Sequence, residues 1–262
     1  MPRVGLALGG GGAKGFAHIP VFHVFDEMQI TPSVIAGTSI GAMLGAYYAA
    51  GMSGSQIRKE LEKLRLRDVS SILDIRLRGG TGLFKGQGLK EFLKKTLPCS
   101  RFEELSIPMK IVAADFWERK EVVFERGNLI QAIRASTAMP SIFEPVSENG
   151  AVLVDGGVIN PLPYDLIADE CDILVAVDVS GTRTPSRDTN IPGMMDGMLN
   201  VLQIMQSSII ASKGLAHKVD VYFKPQLTDV RVLEFYRHDE ILEGIDREIG
   251  AFKKELERVL GG

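Results

Sequence analysis

A five-residue apolar run, Val4–Leu8, breaks into four consecutive glycines and then into AKGFAH. A run so short and so uniformly apolar suits a β-strand buried on both faces. Glycines directly behind it let the backbone approach a negative group, and a helix start points its amides and its dipole at the same place. The pattern then repeats. Ser33–Ala36 reads as a second short strand, and it runs into Gly37-Thr38-Ser39-Ile40-Gly41 and a small-residue helix over Ile40–Ala50. Strand, glycine turn and helix in alternation predict an α/β fold: a mostly parallel central sheet covered by helices on both faces, in three layers. In such sheets ligands gather at the carboxyl ends of the strands, where both glycine turns lie.

Further along, apolar residues from Lys14 to Met28 recur at helical spacing with Pro20 inside, which predicts a kink or a misplaced boundary. Helices are expected over Ser53–Arg67, Gly86–Leu97 and Asn128–Ala138, and strands over Met109–Ala114, Glu121–Phe124, Ala151–Val154 and Ile173–Val179. Gly181–Gly193 is polar and reads as a loop; the rest is expected to be mostly helical, with a strand near Val219–Phe223. A net charge of -3 without a basic arm or stripe argues against a nucleic-acid partner. Cys99 and Cys171 have no partner histidine at metal-ligand spacing, so they read as thiols in a reducing compartment and no metal is expected. No stretch approaches the roughly 18 apolar residues of a spanning helix, and the amino-terminal run is too short for a signal peptide. The chain therefore reads as mature and cytoplasmic, able to sit peripherally on a membrane surface.

Three chemistries compete for the first glycine turn. Gly10, Gly12 and Gly15 satisfy G-x-G-x-x-G, but the next strand ends in Gly37-Thr38-Ser39, without the acid a dinucleotide's ribose needs. A P-loop needs Lys then Ser or Thr after its last glycine, and Gly15 is followed by Phe16. The third is an oxyanion hole, whose donors act on charge that develops in a transition state. The second turn is G-x-S-x-G between strand and helix, the setting that lifts a serine hydroxyl clear of a sheet; the plainer alternative is Ser39 as a helix N-cap.

The base is harder to find. His18 and His23 come too early, and His217 and His238 sit in polar contexts that suit solvated faces. Strand-end carboxylates are the other candidates: Asp115 in VAADF, Asp155 in VLVDGG and Asp178 in VAVDVS. Composition and spacing do not choose among them.

Taken together, GGGGAKG, GTSIG, RASTAMP (Arg134–Pro140) and VDGGVINPLP, in that order between Val4 and about Val179, resemble the patatin-like phospholipases. The resemblance implies one patatin-like domain over 1–262, its motif-bearing core at about 3–180 and a less well matched helical part at 181–262. It implies a lipid acyl hydrolase without cofactor, acting on phospholipid or another acyl ester. Carried over by position, Ser39 is the nucleophile and Asp155 its partner in a dyad without histidine. Gly10, Gly11 and Gly12 form the oxyanion-hole loop, and Gly15, Gly37, Gly41, Gly156 and Gly157 support the motifs. Lys14 stands where the family often has arginine and receives no catalytic role. An acyltransferase would use the same nucleophile, and a dinucleotide-binding protein is the weaker alternative. Oligomeric state is left open, a homodimer included.

Ile191–Ile210 holds Met194, Met195, Met198 and Met205, polarizable side chains suited to varied apolar shapes. Met195, Met198, Leu199, Leu202, Met205 and Ile209 fall on one helical face. That face either packs on the sheet or lines an acyl channel and touches the bilayer.

Overall fold

A computed structural model describes residues 2–62, 82–184, 191, 193–214 and 219–261. The chain opens with β1 (Val4–Leu8), a 3-10 turn at Gly12–Ala17, α1 (His18–Glu27), β2 (Val34–Thr38), α2 (Ile40–Ala49) and α3 (Gly54–Glu62). Then come β3 (Gly82–Phe84), α4 (Gln87–Thr96), β4 (Met109–Asp115), β5 (Lys120–Phe124) and α5 (Leu129–Ser136). The remainder is β6 (Ser141–Phe143), β7 (Val146–Glu148), β8 (Ala151–Asp155), β9 (Ile173–Val177), α6 (Met194–Ser212), β10 (Val221–Phe223) and α7 (His238–Gly261). The expected helix over Ser53–Arg67 lies outside the described residues beyond Glu62, as does His217.

Pro20 causes no kink. The expected helix from Lys14 is two elements, and Pro20 stands third in α1, where its missing N–H would have had no intrahelical acceptor. Asn128 starts α5 by accepting the Gln131 N–H on its side chain at 2.9 Å. Beyond β10 the chain is less helical than expected: 224–237 is irregular apart from one short turn, Phe235–Arg237, and only α7 is long. β3, β6 and β7, three residues each, are too short to show a period.

The sheet runs β10-β9-β1-β2-β4-β8-β7, with β5 also on β4. The pairs β10–β9, β9–β1, β1–β2 and β2–β4 are parallel; those to β5, β8 and β7 are antiparallel. On one face Leu6, Leu8, Ile35 and Val175 pack with residues of α1, α2 and α7. On the other, Ala7 lies in register with Ala36 and with Ala176. That row of small side chains lets Leu162, Tyr164 and Ile167 lie close to the sheet, joined by Ile210 from α6. Short 3-10 turns and one end of α6 thus make the second layer.

One detail of register positions the site. β5 pairs with residues 111–115 of β4, β2 with 109–112 and β8 with 113–115. Because β5 overlaps both, β2 and β8 must share the opposite edge of β4, one parallel and one antiparallel. Their carboxyl ends therefore run toward each other, Thr38 opposite Val112 and Asp155 opposite Ala113.

Candidate active site

Ser39 follows β2 at φ 55° and ψ -122°, a left-handed backbone that a non-glycine residue holds only under constraint. Its two glycine neighbours explain how the turn closes. A β-carbon on Gly41 would lie 2.3 Å from the Leu8 carbonyl oxygen, and one on Gly37 2.7 Å from the Ala42 Cα. The Ser39 N–H donates to Ser136 Oγ at 2.8 Å, and Thr38 Oγ1 donates to the Asn160 carbonyl at 2.7 Å. Ser39 does not cap α2 with its side chain; Oγ donates instead to Asp155 Oδ2 at 2.7 Å. Ser136 lies in RASTAMP, but nothing in its local pattern marks it as the acceptor for the Ser39 amide.

Asp155 ends β8 and is buried. Its other oxygen, Oδ1, accepts the Gly157 N–H at 2.7 Å. A β-carbon on Gly156 would stand 2.3 Å from the Val112 carbonyl oxygen, and one on Gly157 2.4 Å from Gln206 Nε2. DGG is therefore a turn with no room for a side chain at Gly156, directly after the acid, while Gly157 lies against the movable end of Gln206. Burial pushes the Asp155 carboxyl up to about 6, against the opposing pull of the Gly157 and Ser39 hydrogen bonds. The competing carboxylates are occupied elsewhere. Asp115 accepts the amides of Trp117 and Glu118, and Asp178 accepts from Tyr222, Lys224 and the Ser180 amide.

No described histidine is hydrogen-bonded to the Ser39 hydroxyl. His18 is fully buried with Nε2 on the Gly9 carbonyl at 2.9 Å, and burial lowers it to about 4. His238, expected on a solvated face, instead lines an apolar cavity beside Phe16, ring centroids 5.9 Å apart. Its polar sequence neighbours hid this, because helix α7 turns only one side to the protein.

The glycine loop is clamped from behind. β-Carbons on Gly11 and Gly12 would meet the carbonyl oxygens of Val179 and Val232 at 2.6 and 2.3 Å, and Gly12 has φ +59°. Gly10 lies against Ser39, its would-be β-carbon 3.3 Å from the Ser39 Cβ. The Gly10 N–H already donates to the Pro161 carbonyl at 2.9 Å and the Ala13 N–H to the Val232 carbonyl at 2.8 Å, so among the described residues the loop amides without a backbone acceptor are those of Gly11 and Gly12. Gly15 serves packing: a β-carbon there would sit 2.3 Å from Ile40. Lys14 points away into a cleft lined by Ser180 and Arg183, and burial, then the Arg183 charge, brings it down to about 8.

Two cavities meet at Ser39. One, of about 110 Å³, is lined by Ile40, Met43, Phe92, Met139, Phe143 and Phe235 among others. The second, about 20 Å³, lies between the glycine loop, Ser39, Asp155 and α6. Leu199, Leu202, Gln203 and Gln206 form its α6 side. Of the expected apolar face, Met198 and Met205 are exposed, as are Met194 and Val201 beside it, whereas Leu199 and Leu202 line the cleft at Ser39; the side chain of Met195 is not among those described. The floor of this cleft is polar backbone and carboxylate, which accounts for glutamines facing in. Among the described residues no group of three or more His, Cys, Asp or Glu could hold a metal ion, and no helix is long and apolar enough to cross a membrane.

Ser39, a buried carboxylate and a glycine loop thus meet at one end of a mixed α/β sheet. The family model for patatin-like phospholipases matches residues 6–168, and the chain belongs to that family. An uncharacterized NTE family protein of Mycobacterium tuberculosis is 36% identical over 189 residues, covering 71% of this chain and 52% of that protein. Lysophospholipase NTE1 of Saccharomyces cerevisiae is 27% identical over 269 residues, 93% of this chain and 16% of that protein. The chain thus spans about half the length of the first relative and a smaller part of the second. Among solved structures, VipD from Legionella pneumophila superposes with a TM-score of 0.49 at 14% identity, over 94% of this chain and 66% of that one.

Proposed function

We propose that the chain is a lipid acyl hydrolase that cleaves carboxylic esters of lipids, lysophospholipids among them, through an acyl-enzyme on Ser39. The observation that carries this reading is the 2.7 Å hydrogen bond from Ser39 Oγ to a buried carboxylate. Asp155 accepts the hydroxyl proton as Oγ bonds to the acyl carbon, then returns it to the departing alcohol. Water, losing a proton to the same carboxylate, releases the fatty acid and restores Ser39. Charge that develops on the carbonyl oxygen is met by the Gly11 and Gly12 amides, with Gly10 as the wall that holds them in place. The acyl chain lies in the apolar cavity that starts at Ser39. Contact with a membrane surface at the carboxyl end of the sheet delivers the substrate.

Ser39→Ala lowers hydrolysis of p-nitrophenyl esters and of lysophosphatidylcholine by about 10³-fold or more, with circular dichroism unchanged. An organophosphonate labels Ser39 alone. Wild-type turnover in a folded Ser39→Ala protein would remove the nucleophile assignment.

A further inference from the structure

Beyond the site, one exposed feature stands out. Trp117 is the chain's one tryptophan, and it is 73% exposed; its neighbour Phe116 is 50% exposed. Both sit at the tip of the hairpin between β4 and β5. The tip is firmly built. Asp115 Oδ1 accepts the amides of Trp117 and Glu118 at 2.9 and 3.0 Å, and the Arg119 amide returns to the Asp115 carbonyl at 2.9 Å. Arg119 takes φ 54° to close the turn. The two rings meet edge to face at 4.9 Å and, among the described residues, touch no other aromatic ring. An ordered turn that holds two large aromatics out in water, beside an exposed Arg119 and a Lys120 paired with Glu118, has the amphipathic composition of a membrane-interface anchor.

Its place in the fold gives it a direction. Thr38 pairs with Val112, and β4 continues to Asp115, so the aromatics stand about 10 Å beyond the level of Ser39 at the rise of an extended strand. They project from the same carboxyl end of the sheet that carries the glycine loop, Ser39 and Asp155. The Phe116 amide donates to the Val152 carbonyl, tying the tip to the strand that presents Asp155. The exposed face of α6, with Met194, Met198, Val201 and Met205, lies over the same site.

We infer that the Phe116–Trp117 hairpin is an interfacial anchor that sets the chain on a lipid bilayer, rings at the acyl boundary and Arg119 at the phosphates, with Ser39 facing that surface. The inference rests on the lipid-hydrolase reading for its choice of partner, and it is tested apart from turnover. With one tryptophan, intrinsic emission reports position 117 alone. The Ser39→Ala protein is titrated with vesicles of equal parts phosphatidylcholine and phosphatidylglycerol. Emission shifts to the blue and is quenched by lipids brominated near the headgroup. Phe116→Ala, which keeps the reporter, weakens vesicle partition by about tenfold in the same titration. In the catalytically intact chain, Trp117→Ala slows hydrolysis of vesicle lipid by about tenfold while a short water-soluble ester is cleaved within about twofold of wild type. Emission that stays at its aqueous position at saturating vesicle overturns the anchor whatever the enzyme assay shows. Emission that shifts with protein concentration before vesicles are added overturns it in favour of a second copy. A wild-type chain that shows the vesicle-induced blue shift but cleaves neither vesicle lipid nor soluble ester removes the hydrolase reading and leaves the anchor standing.

Discussion

Asp155 and Asp178 each stand at the carboxyl end of a buried strand, 2% and 1% exposed, yet their surroundings push them in opposite directions. Burial raises both. At Asp178 it is outweighed by the Tyr222 hydroxyl at 2.5 Å, the Lys224 ammonium at 2.9 Å and the Ser180 amide, and the carboxyl falls below its ordinary value. Asp155 has two neutral donors and, among the described residues, no cation in contact, and it rises to about 6. A carboxylate paired with a cation is a poor base, because protonating it breaks the pair; one held by neutral donors alone gives that proton a place to go. Among buried strand-end acids, the missing counter-ion marks the base better than burial does.

The widest separation between the two comes from the same isosteric change at each. Asp155→Asn lowers kcat/KM on a soluble ester by about 10²–10⁴-fold, since the amide cannot take the Ser39 proton. Asp178→Asn leaves kcat/KM within a few-fold of wild type but destabilises the fold by about 2–3 kcal/mol, the low end for breaking a buried pair because Lys224 is partly in water. Urea unfolding and ester kinetics on both variants check this. Comparable losses of kcat/KM in the two would erase the contrast.

The second effect is on stability, and it has the opposite sign at Asp155. Its folded value, about 6, lies above the reference 3.8, so the folded state holds the proton more tightly than the unfolded chain does. Stability is therefore lost as pH rises from about 4 to about 6, and the full deficit, about 3 kcal/mol at most, stands above that window. Asn carries no charge and still serves both neighbours: Oδ1 accepts the Gly157 amide and Nδ2 donates to Ser39 Oγ. Asp155→Asn is accordingly more stable than wild type at pH 8 by about 1–3 kcal/mol, a rise of roughly 2–4 °C in Tm per kcal/mol, and no more stable at pH 4. A gain of equal size at both pH values would point to packing and not to charge.

Much of this contrast was hidden in the sequence. VAADF, VLVDGG and VAVDVS look alike locally, and only the family resemblance selected Asp155. The physical reason is that the partners come from far along the chain: Tyr222 and Lys224 reach Asp178 from β10, and Ser39 reaches Asp155 because β2 and β8 share one edge of β4. Register between distant strands leaves no periodic trace. The glycine turns were legible because steric exclusion is local; Gly41 against Leu8 needs only the strand–turn–helix that the pattern declares. Along α6 apolar periodicity alone does not say what each residue faces: Leu199 and Leu202 line the cleft over Asp155 and the glycine loop, whereas Met198 and Met205 of the same stripe face solvent.

The smallest effect is the most direct reading of the base. If Asp155 must be ionised to accept the Ser39 proton, kcat/KM on a neutral ester rises about tenfold per pH unit below about 6 and flattens above it. Fatty acid release is followed by titration-independent chromatography, so that neither substrate nor reporter ionises in the window. His18 is no rival, buried behind the glycine loop with Nε2 committed to Gly9. His238, in the wall of the apolar cavity, is the one described histidine that shares a cavity with Ser39, so the profile is taken in His238→Ala as well. The inflection near 6 persists there with kcat/KM changed by a few-fold through cavity shape alone. An inflection that disappears in His238→Ala would hand the proton to the histidine and leave Asp155, like Asp178, a structural acid.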